Sequence, residues 1–325
     1  MENILNAVQS ASSIAIAGHV RPDGDCVGSC LALYNYLTKY VNYDWNKVID
    51  LYLEPVPETF TFLKNADKIT SEYDTNMIYD LFLSLDCSSP DRLGGALPIF
   101  ERARKTICVD HHISNTRFAG TNLVVPDASS TCEVLYTLLE EEKIDTAIAE
   151  CLYLGIIHDT GVFKHSNTSR QTMEIAGRLI EKGVNTSQII DETFYQKTYL
   201  QNQILGRCLL ESIMVLDGRV IVSCVSRKIQ DFYGVVPSDL DGVIDQLRIT
   251  KGVEAAILIR EEETQSYKVS MRSNGILNVS KIAVYFGGGG HVKAAGCNMK
   301  GSLHDVINNL LEHMANQLEA AGRSV

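Results

Sequence analysis

The 325-residue sequence is short of several features, and each shortage narrows what the protein can do. No apolar run approaches the ~18 residues that a membrane-spanning helix needs. Nine cysteines are present, but no C-x-x-C pair and no Cys/His finger spacing, which removes the common zinc-ribbon and finger classes. No secretory leader is read at the start, so reduced, buried thiols in a cytoplasmic protein are expected. Positive charge is also scarce. With 29 Lys and Arg against 40 Asp and Glu, the net charge is −11, which argues against a broad basic surface for gripping long DNA or RNA. A small phosphorylated ligand stays open, because bound divalent cations reverse the sign of charge inside a cleft. With only 7 prolines, no internal repeat and no low-complexity tract, the chain reads as an ordinary globular protein long enough for two domains.

What is present alternates. Residues 2–11 read as a short helix, 12–18 as a strand, 19–29 as a polar loop and 29–40 as a helix. Strands follow at 79–89, ending in Asp86, and at 105–115, ending in Asp110-His111-His112. Residues 129–141 read as a helix with a Ser/Thr cap and Glu133 placed for a capping box. Residues 147–163 read as a buried helix running into a loop around Asp159. This order predicts an α/β domain with a mostly parallel, helix-covered sheet over residues 1–190. A helical linker is expected over 191–212, with hinge character. The pattern then changes to a smaller α+β domain at 213–325. It opens with a hairpin turning at Asp217-Gly218, continues with two strands around a charged turn, and passes through a glycine loop followed by a small-residue helix or strand start at Ala294-Ala295-Gly296. An amphipathic C-terminal helix closes it.

His19, Asp23 and Asp25 share one strand-to-helix loop, while Asp86, Asp110-His111-His112 and Asp159 each follow an apolar element. Alone, these are ordinary: Asp-x-Asp makes turns, an Asp after a strand caps helices, and His-His pairs are commonly structural. Together they fall where a parallel sheet presents its carboxyl edge, and imidazole with carboxylate is a donor set for manganese, magnesium, iron or zinc.

The segments His19-Val-Arg-Pro-Asp23-Gly-Asp25-Cys-Val-Gly28-Ser29, Leu85-Asp86, Val109-Asp110-His111-His112 and His158-Asp159-Thr160-Gly161 resemble the four-motif pattern of the DHH phosphoesterases. Gly287-Gly-Gly-Gly-His291-Val-Lys-Ala-Ala-Gly296 resembles the GGGHxxAAG signature of the domain associated with one DHH subfamily. The resemblance covers essentially the whole chain. It implies an active site in the interdomain cleft and two divalent metal ions, manganese first, with magnesium, iron or cobalt as alternatives. It implies metal ligation by His19 and Asp23 on one side and by Asp25, His111 and Asp159 on the other, with Asp86 bridging. It further implies an orienting role for Asp110, a phosphate-facing role for His112, and substrate contacts from Arg272, Gly288, Gly289, Gly290 and His291. Ser166, Asn167 and Thr168 are further candidates for lining the cleft.

The activity implied is metal-dependent hydrolysis of phosphate esters and phosphodiesters in small nucleotides, without a covalent intermediate. Short oligoribonucleotides (nanoRNA) and 3′-phosphoadenosine 5′-phosphate (pAp) are the expected substrates of this cytoplasmic, exoribonuclease-like enzyme. No binding to long duplex DNA or to a membrane is expected, and a homodimer is left open. A cyclic- or linear-dinucleotide phosphodiesterase (cyclic di-AMP, pApA, pGpG) is the nearest alternative. Behind it stand a family II-like inorganic pyrophosphatase, whose basic motif Ser226-Arg227-Lys228 resembles superficially, and a non-catalytic nucleotide sensor.

Overall fold

The computed structural model describes residues 4–41 and 46–322. Contacts divide the chain into two compact units, the first ending at Gln196 and the second beginning at Lys197.

The first unit carries strands β1 (Ser13–Ala17), β2 (Val48–Tyr52), β3 (Ile69–Thr70), β4 (Leu81–Leu85), β5 (Thr106–Asp110) and β6 (Thr121–Val124) in one sheet of order β3-β2-β1-β4-β5-β6. Every neighbouring pair is parallel. Helices α1 (Ile4–Ser10), α2 (Gly24–Tyr40), α3 (Leu97–Arg102), α4 (Thr131–Tyr136), α5 (Thr146–Asp159), α6 (Arg170–Glu181) and α7 (Thr186–Ile190) complete it. β1 and β4 are buried along their whole length, which is why they read as apolar runs rather than alternating strands. Ile14, Ile16, Leu81 and Leu83 join the core that includes α2, α4 and α5. Ala15, Ala17, Phe82 and Cys108 face the other way, toward Ile99 and Phe100 of α3. Parallel strands all point their carboxyl ends to one edge, and there the chain leaves β1 for His19, β4 for Asp86 and β5 for His111.

The second helix starts earlier than expected. Asp23 is its N-cap, accepting from the backbone N–H of Asp25 at 3.2 Å and of Cys26 at 3.1 Å. Asp25 therefore stands in the first helical turn rather than in a loop, because the cap satisfies donors that a turn would leave open. α5 buries nine residues, from Ile148 to Ile157. It lies close against α2: a Cβ on Gly28 would stand 2.4 Å from the Cys151 carbonyl oxygen, and one on Gly155 would stand 2.6 Å from Asp25 Oδ1.

The second unit opens with α8 (Tyr199–Leu210), whose Ile204 and Cys208 pack with Leu240, Val243 and Leu247. Strands β7 (Ile213–Val215) and β8 (Val220–Val225) form the expected hairpin, with positive φ at Leu216, Asp217 and Gly218. Helices α9 (Arg227–Tyr233) and α10 (Val243–Arg248), strands β9 (Ala255–Glu263) and β10 (Ser266–Ser273), helix α11 (Val279–Tyr285), strands β11 (Gly289–His291) and β12 (Ala294–Lys300), and helix α12 (Leu303–Gly322) follow. The sheet order is β11-β12-β10-β9-β8-β7, antiparallel except for the parallel β8–β9 pair. Ala294-Ala295-Gly296 begins a strand, not a helix. The small side chains let β12 lie between β10 and β11, and a Cβ on Gly296 would stand 2.8 Å from the Val269 carbonyl oxygen.

Candidate metal centre

His19, Asp23, Asp25, Asp86, His111, His112 and Asp159 meet at the carboxyl edge of the sheet. His19 Nε2 lies 3.5 Å from Asp23 Oδ2 and 3.5 Å from Asp86 Oδ2. His111 Nε2 lies 2.9 Å from Asp159 Oδ2, 3.7 Å from Asp86 Oδ1 and 3.9 Å from Asp25 Oδ2. Asp86 thus links the two imidazoles, one to each carboxylate oxygen.

The tautomers follow from the surroundings. His19 Nδ1 faces the Val20 carbonyl oxygen at 2.9 Å, and His111 Nδ1 faces that of Ala128 at 3.3 Å. A carbonyl only accepts, so both Nδ1 atoms carry the proton and both Nε2 atoms turn toward the carboxylates. His111 Nε2 is buried, with the Asp159 carboxylate as its nearest polar neighbour at 2.9 Å. Asp25 and Asp86 are almost wholly buried. Asp25 accepts from the backbone N–H of Thr131 at 2.6 Å and of Cys132 at 2.9 Å, the first turn of α4. Asp86 has a left-handed backbone, φ +53°, and accepts from the Thr131 hydroxyl at 2.9 Å. A left-handed non-glycine residue costs about 1–3 kcal/mol, and surrounding structure must hold it in place.

Crowded carboxylates set the proton affinities. Burial, together with the charges of Asp86 and Asp159, pushes Asp25 well above the usual carboxylate range. Burial also raises Asp159. For His19, burial opposes the charge but the Asp23 and Asp86 carboxylates outweigh it, raising the imidazole to about 11. Burial is likewise outweighed at His111, by Asp159 first, and it rises to about 10. Buried carboxylates that hold protons on the Nε2 atoms of His19 and His111 fit a site for divalent cations, which would take the place of those protons. Among the described residues, donor atoms within 4.8 Å of one another form three groups: Asp25, His111 and Asp159; Asp86, His111 and His112; and His19, Cys26 and Asp86.

Asp110 is fully buried behind this edge. Its Oδ1 accepts from His112 Nδ1 at 2.7 Å and its Oδ2 from Asn115 Nδ2 at 2.6 Å. Burial disfavours its charge, but these two donors prevail and hold it below the usual range. His112, in turn, is raised by Asp110 and is half-exposed. Sequence reasoning missed Thr131 and Asn115. Asn115 stands five residues after Asp110, a spacing that could have suggested a local side-chain bond.

Of the loop residues considered for the site, Asn167 donates to the carbonyl oxygens of Ser129 at 2.9 Å and Asp159 at 3.2 Å, tying the segment after α5 to the α4 cap. Glu133 completes no standard capping box: its carboxylate accepts from Ser129 N–H and hydroxyl and from the Thr172 hydroxyl, one residue ahead of the N-cap Ser130.

In the second unit, Arg272 and His291 are both register partners of Ala294, so they lie on one face of the sheet with that alanine between them. Arg272 Nε is 3.8 Å from Asp245 Oδ1. Gly289 and Gly290 belong to an exposed edge strand rather than a free loop, and Gly290 adopts φ +138°. Gly288 precedes that strand. Ser226 caps α9 while Arg227 pairs with Asp231 at 3.0 Å, so this basic segment is engaged in helix formation.

All nine cysteines are free, eight of them buried. Among the described residues no helix is long and apolar enough to cross a membrane.

A curated relative from Thermus thermophilus, "Bifunctional oligoribonuclease and PAP phosphatase NrnA", is 28% identical over 98% of this chain and 94% of its own. One of the same name from Bacillus subtilis is 25% identical over 91% and 92%. A solved structure of an exopolyphosphatase-related protein from Bacteroides fragilis has a TM-score of 0.84 at 23% identity, covering 96% of this chain and 94% of that one, and shares the fold. The model of the DHH family's N-terminal domain matches residues 13–156 and that of the DHHA1 domain residues 217–320, so the chain carries a DHH-family N-terminal domain and a DHHA1 domain.

Proposed function

We propose that this chain is a two-metal phosphoesterase that hydrolyses short oligoribonucleotides and pAp. The observation carrying this reading is the meeting of two tautomer-ordered histidines at opposite oxygens of one buried carboxylate, Asp86. The names of the relatives, oligoribonuclease and PAP phosphatase, support the substrate class.

In this reading His19 and Asp23 hold one divalent ion, Asp25, His111 and Asp159 the other, and Asp86 both; manganese is the ion proposed. When bound, such ions supply a nucleophile from water near neutral pH and neutralise charge on phosphoryl oxygens. The chain's own residues do the rest. Thr131 aims Asp86 through its hydroxyl and Asp25 through its N–H. Asp110, held by Asn115, keeps His112 protonated at Nδ1 and promotes an imidazolium that can donate from Nε2 to the substrate phosphate. Arg272, Gly288 to Gly290 and His291 supply contacts to the phosphate that is not being transferred, Arg272 through a planar guanidinium suited to two phosphate oxygens. Free thiols suit the reducing cytoplasm.

The test compares kcat/KM of the manganese-loaded protein on pAp, pApA, cyclic di-AMP, pGpG, inorganic pyrophosphate, a short RNA and a long RNA. Short RNA and pAp should lead. Cyclic di-AMP or pyrophosphate as the fastest substrate, or equal rates on short and long RNA, would overturn the assignment.

A further inference from the structure

Cys26 is a buried thiol without a part in the reaction above. It stands in the first turn of α2, fully buried, with its sulfur 3.8 Å from the His19 carbonyl oxygen. A Cβ on Gly18 would lie 2.2 Å from that sulfur, so the thiol fills the notch that the glycine leaves just beyond β1. The notch opens on the metal centre: one nitrogen of His19, one carboxylate oxygen of Asp86 and the Cys26 sulfur lie within 4.8 Å of one another, and all three residues are buried. Imidazole and carboxylate alone suit manganese or magnesium. Adding a sulfur gives a mixed N, O, S set that favours thiophilic ions such as zinc, cadmium or cobalt.

We propose that Cys26 is a ligand in the His19 half of the centre when a thiophilic ion occupies it. The sulfur–metal bond forms as the S–H proton leaves to solvent, with no change of oxidation state. The half-site therefore distinguishes ions: a hard ion uses Asp23, His19 and Asp86, whereas zinc or cadmium takes Cys26, His19 and Asp86 and displaces it. The inference rests on the metal-centre reading above.

Cobalt titration of the metal-free, full-length protein tests it. The wild type should develop visible ligand-field bands and, in addition, a near-ultraviolet sulfur-to-cobalt charge-transfer band. Cys26→Ser, which still fits the Gly18 notch, should lose that band and bind zinc about tenfold or more weakly. Cys132→Ser, another buried thiol near Asp25, should keep the band. Should Cys26→Ser fail to fold, zinc-edge X-ray absorption on the wild type serves instead, with a sulfur scatterer expected at about 2.3 Å. Ligand-field bands without the charge-transfer band, loss of the band in Cys132→Ser alone, or a zinc shell free of sulfur would each remove Cys26 from the site and leave the metal centre standing. No cobalt binding would remove both.

Discussion

Thr131 touches Asp86 and Asp25 at once: its hydroxyl donates to Asp86 Oδ1 at 2.9 Å and its backbone N–H donates to Asp25 Oδ2 at 2.6 Å. The start of α4 is therefore the brace that sets the spacing of two carboxylates carried by β4 and α2. Thr131→Val keeps the shape and the N–H but removes the hydroxyl. Metal affinity should fall about 10- to 100-fold, as for other residues that orient a ligand from behind. Calorimetric manganese titration checks this; unchanged affinity would show that Asp86 needs no brace.

Asp86→Asn should leave thermal stability close to wild type, because asparagine tolerates the left-handed backbone at φ +53°. Its amide replaces one anionic oxygen, so two-ion binding should drop to one ion and kcat should fall by about a hundredfold or more. Turnover above a few per cent of wild type in manganese would refute the bridging role.

Gly155→Ala tests the approach of α5 to α2. The new methyl would meet Cys132 Sγ at 2.2 Å and Asp25 Oδ1 at 2.6 Å. Overpacking of this kind costs about 1–3 kcal/mol, read as a lowered urea midpoint. Because Asp25 is one of the atoms struck, manganese affinity should fall with it.

His158 supplies a pH dependence separate from the ligand groups' own. Its ring lies between Phe60, 5.1 Å away, and Phe194, 4.4 Å away, and its Nε2 is buried without a partner. Burial lowers its pKa from 6.5 to about 4. A folded-state pKa below the unfolded one means that the unfolded chain takes the proton first as pH falls. The contribution is thus neutral above pH 6.5, and stability is lost progressively between about 6.5 and 4, by up to about 3 kcal/mol. Urea melts of wild type and His158→Phe at pH 7 and at pH 5 isolate it. The variant should lose less stability over that interval, and equal losses would exclude His158 as the source.

Arg272→Ala separates binding from chemistry. If Arg272 holds the phosphate that is not transferred, KM should rise with a smaller fall in kcat. A collapse of kcat at constant KM would place it at the reacting phosphate instead, and unchanged kinetics would leave it with its contacts to Asp245 and to the Met271 carbonyl oxygen.

What could be read in the sequence, and what could not, divides along physical lines. Asp86, Asp110 and His111 were legible because a parallel sheet delivers strand ends to one edge, and apolar runs such as LFLSL announce strands buried on both faces. Thr131 was not, because its value as a donor depends on α4 meeting Asp86 and Asp25 in space. The start of α2 was read five residues late: Asp23-Gly-Asp25 has the composition of a turn, and only the cap geometry shows that the helix has begun. At Ala294-Ala295-Gly296 small residues suited helix or strand equally, and pairing with β10 decided the matter. Arg272 and His291 were legible as residues, but the face they share follows only from strand register.

The left-handed backbone at Asp86 also constrains how this protein can change over generations. Most side chains would strain that position, so few replacements leave a well-folded molecule; asparagine, one base change away from aspartate, is among them. On the proposed bridging role of Asp86, the mildest structural lesion is therefore also the one that disables the centre. A descendant carrying it would keep its architecture and its nucleotide-facing surfaces while losing turnover, which opens a short route from hydrolase to nucleotide-binding receptor.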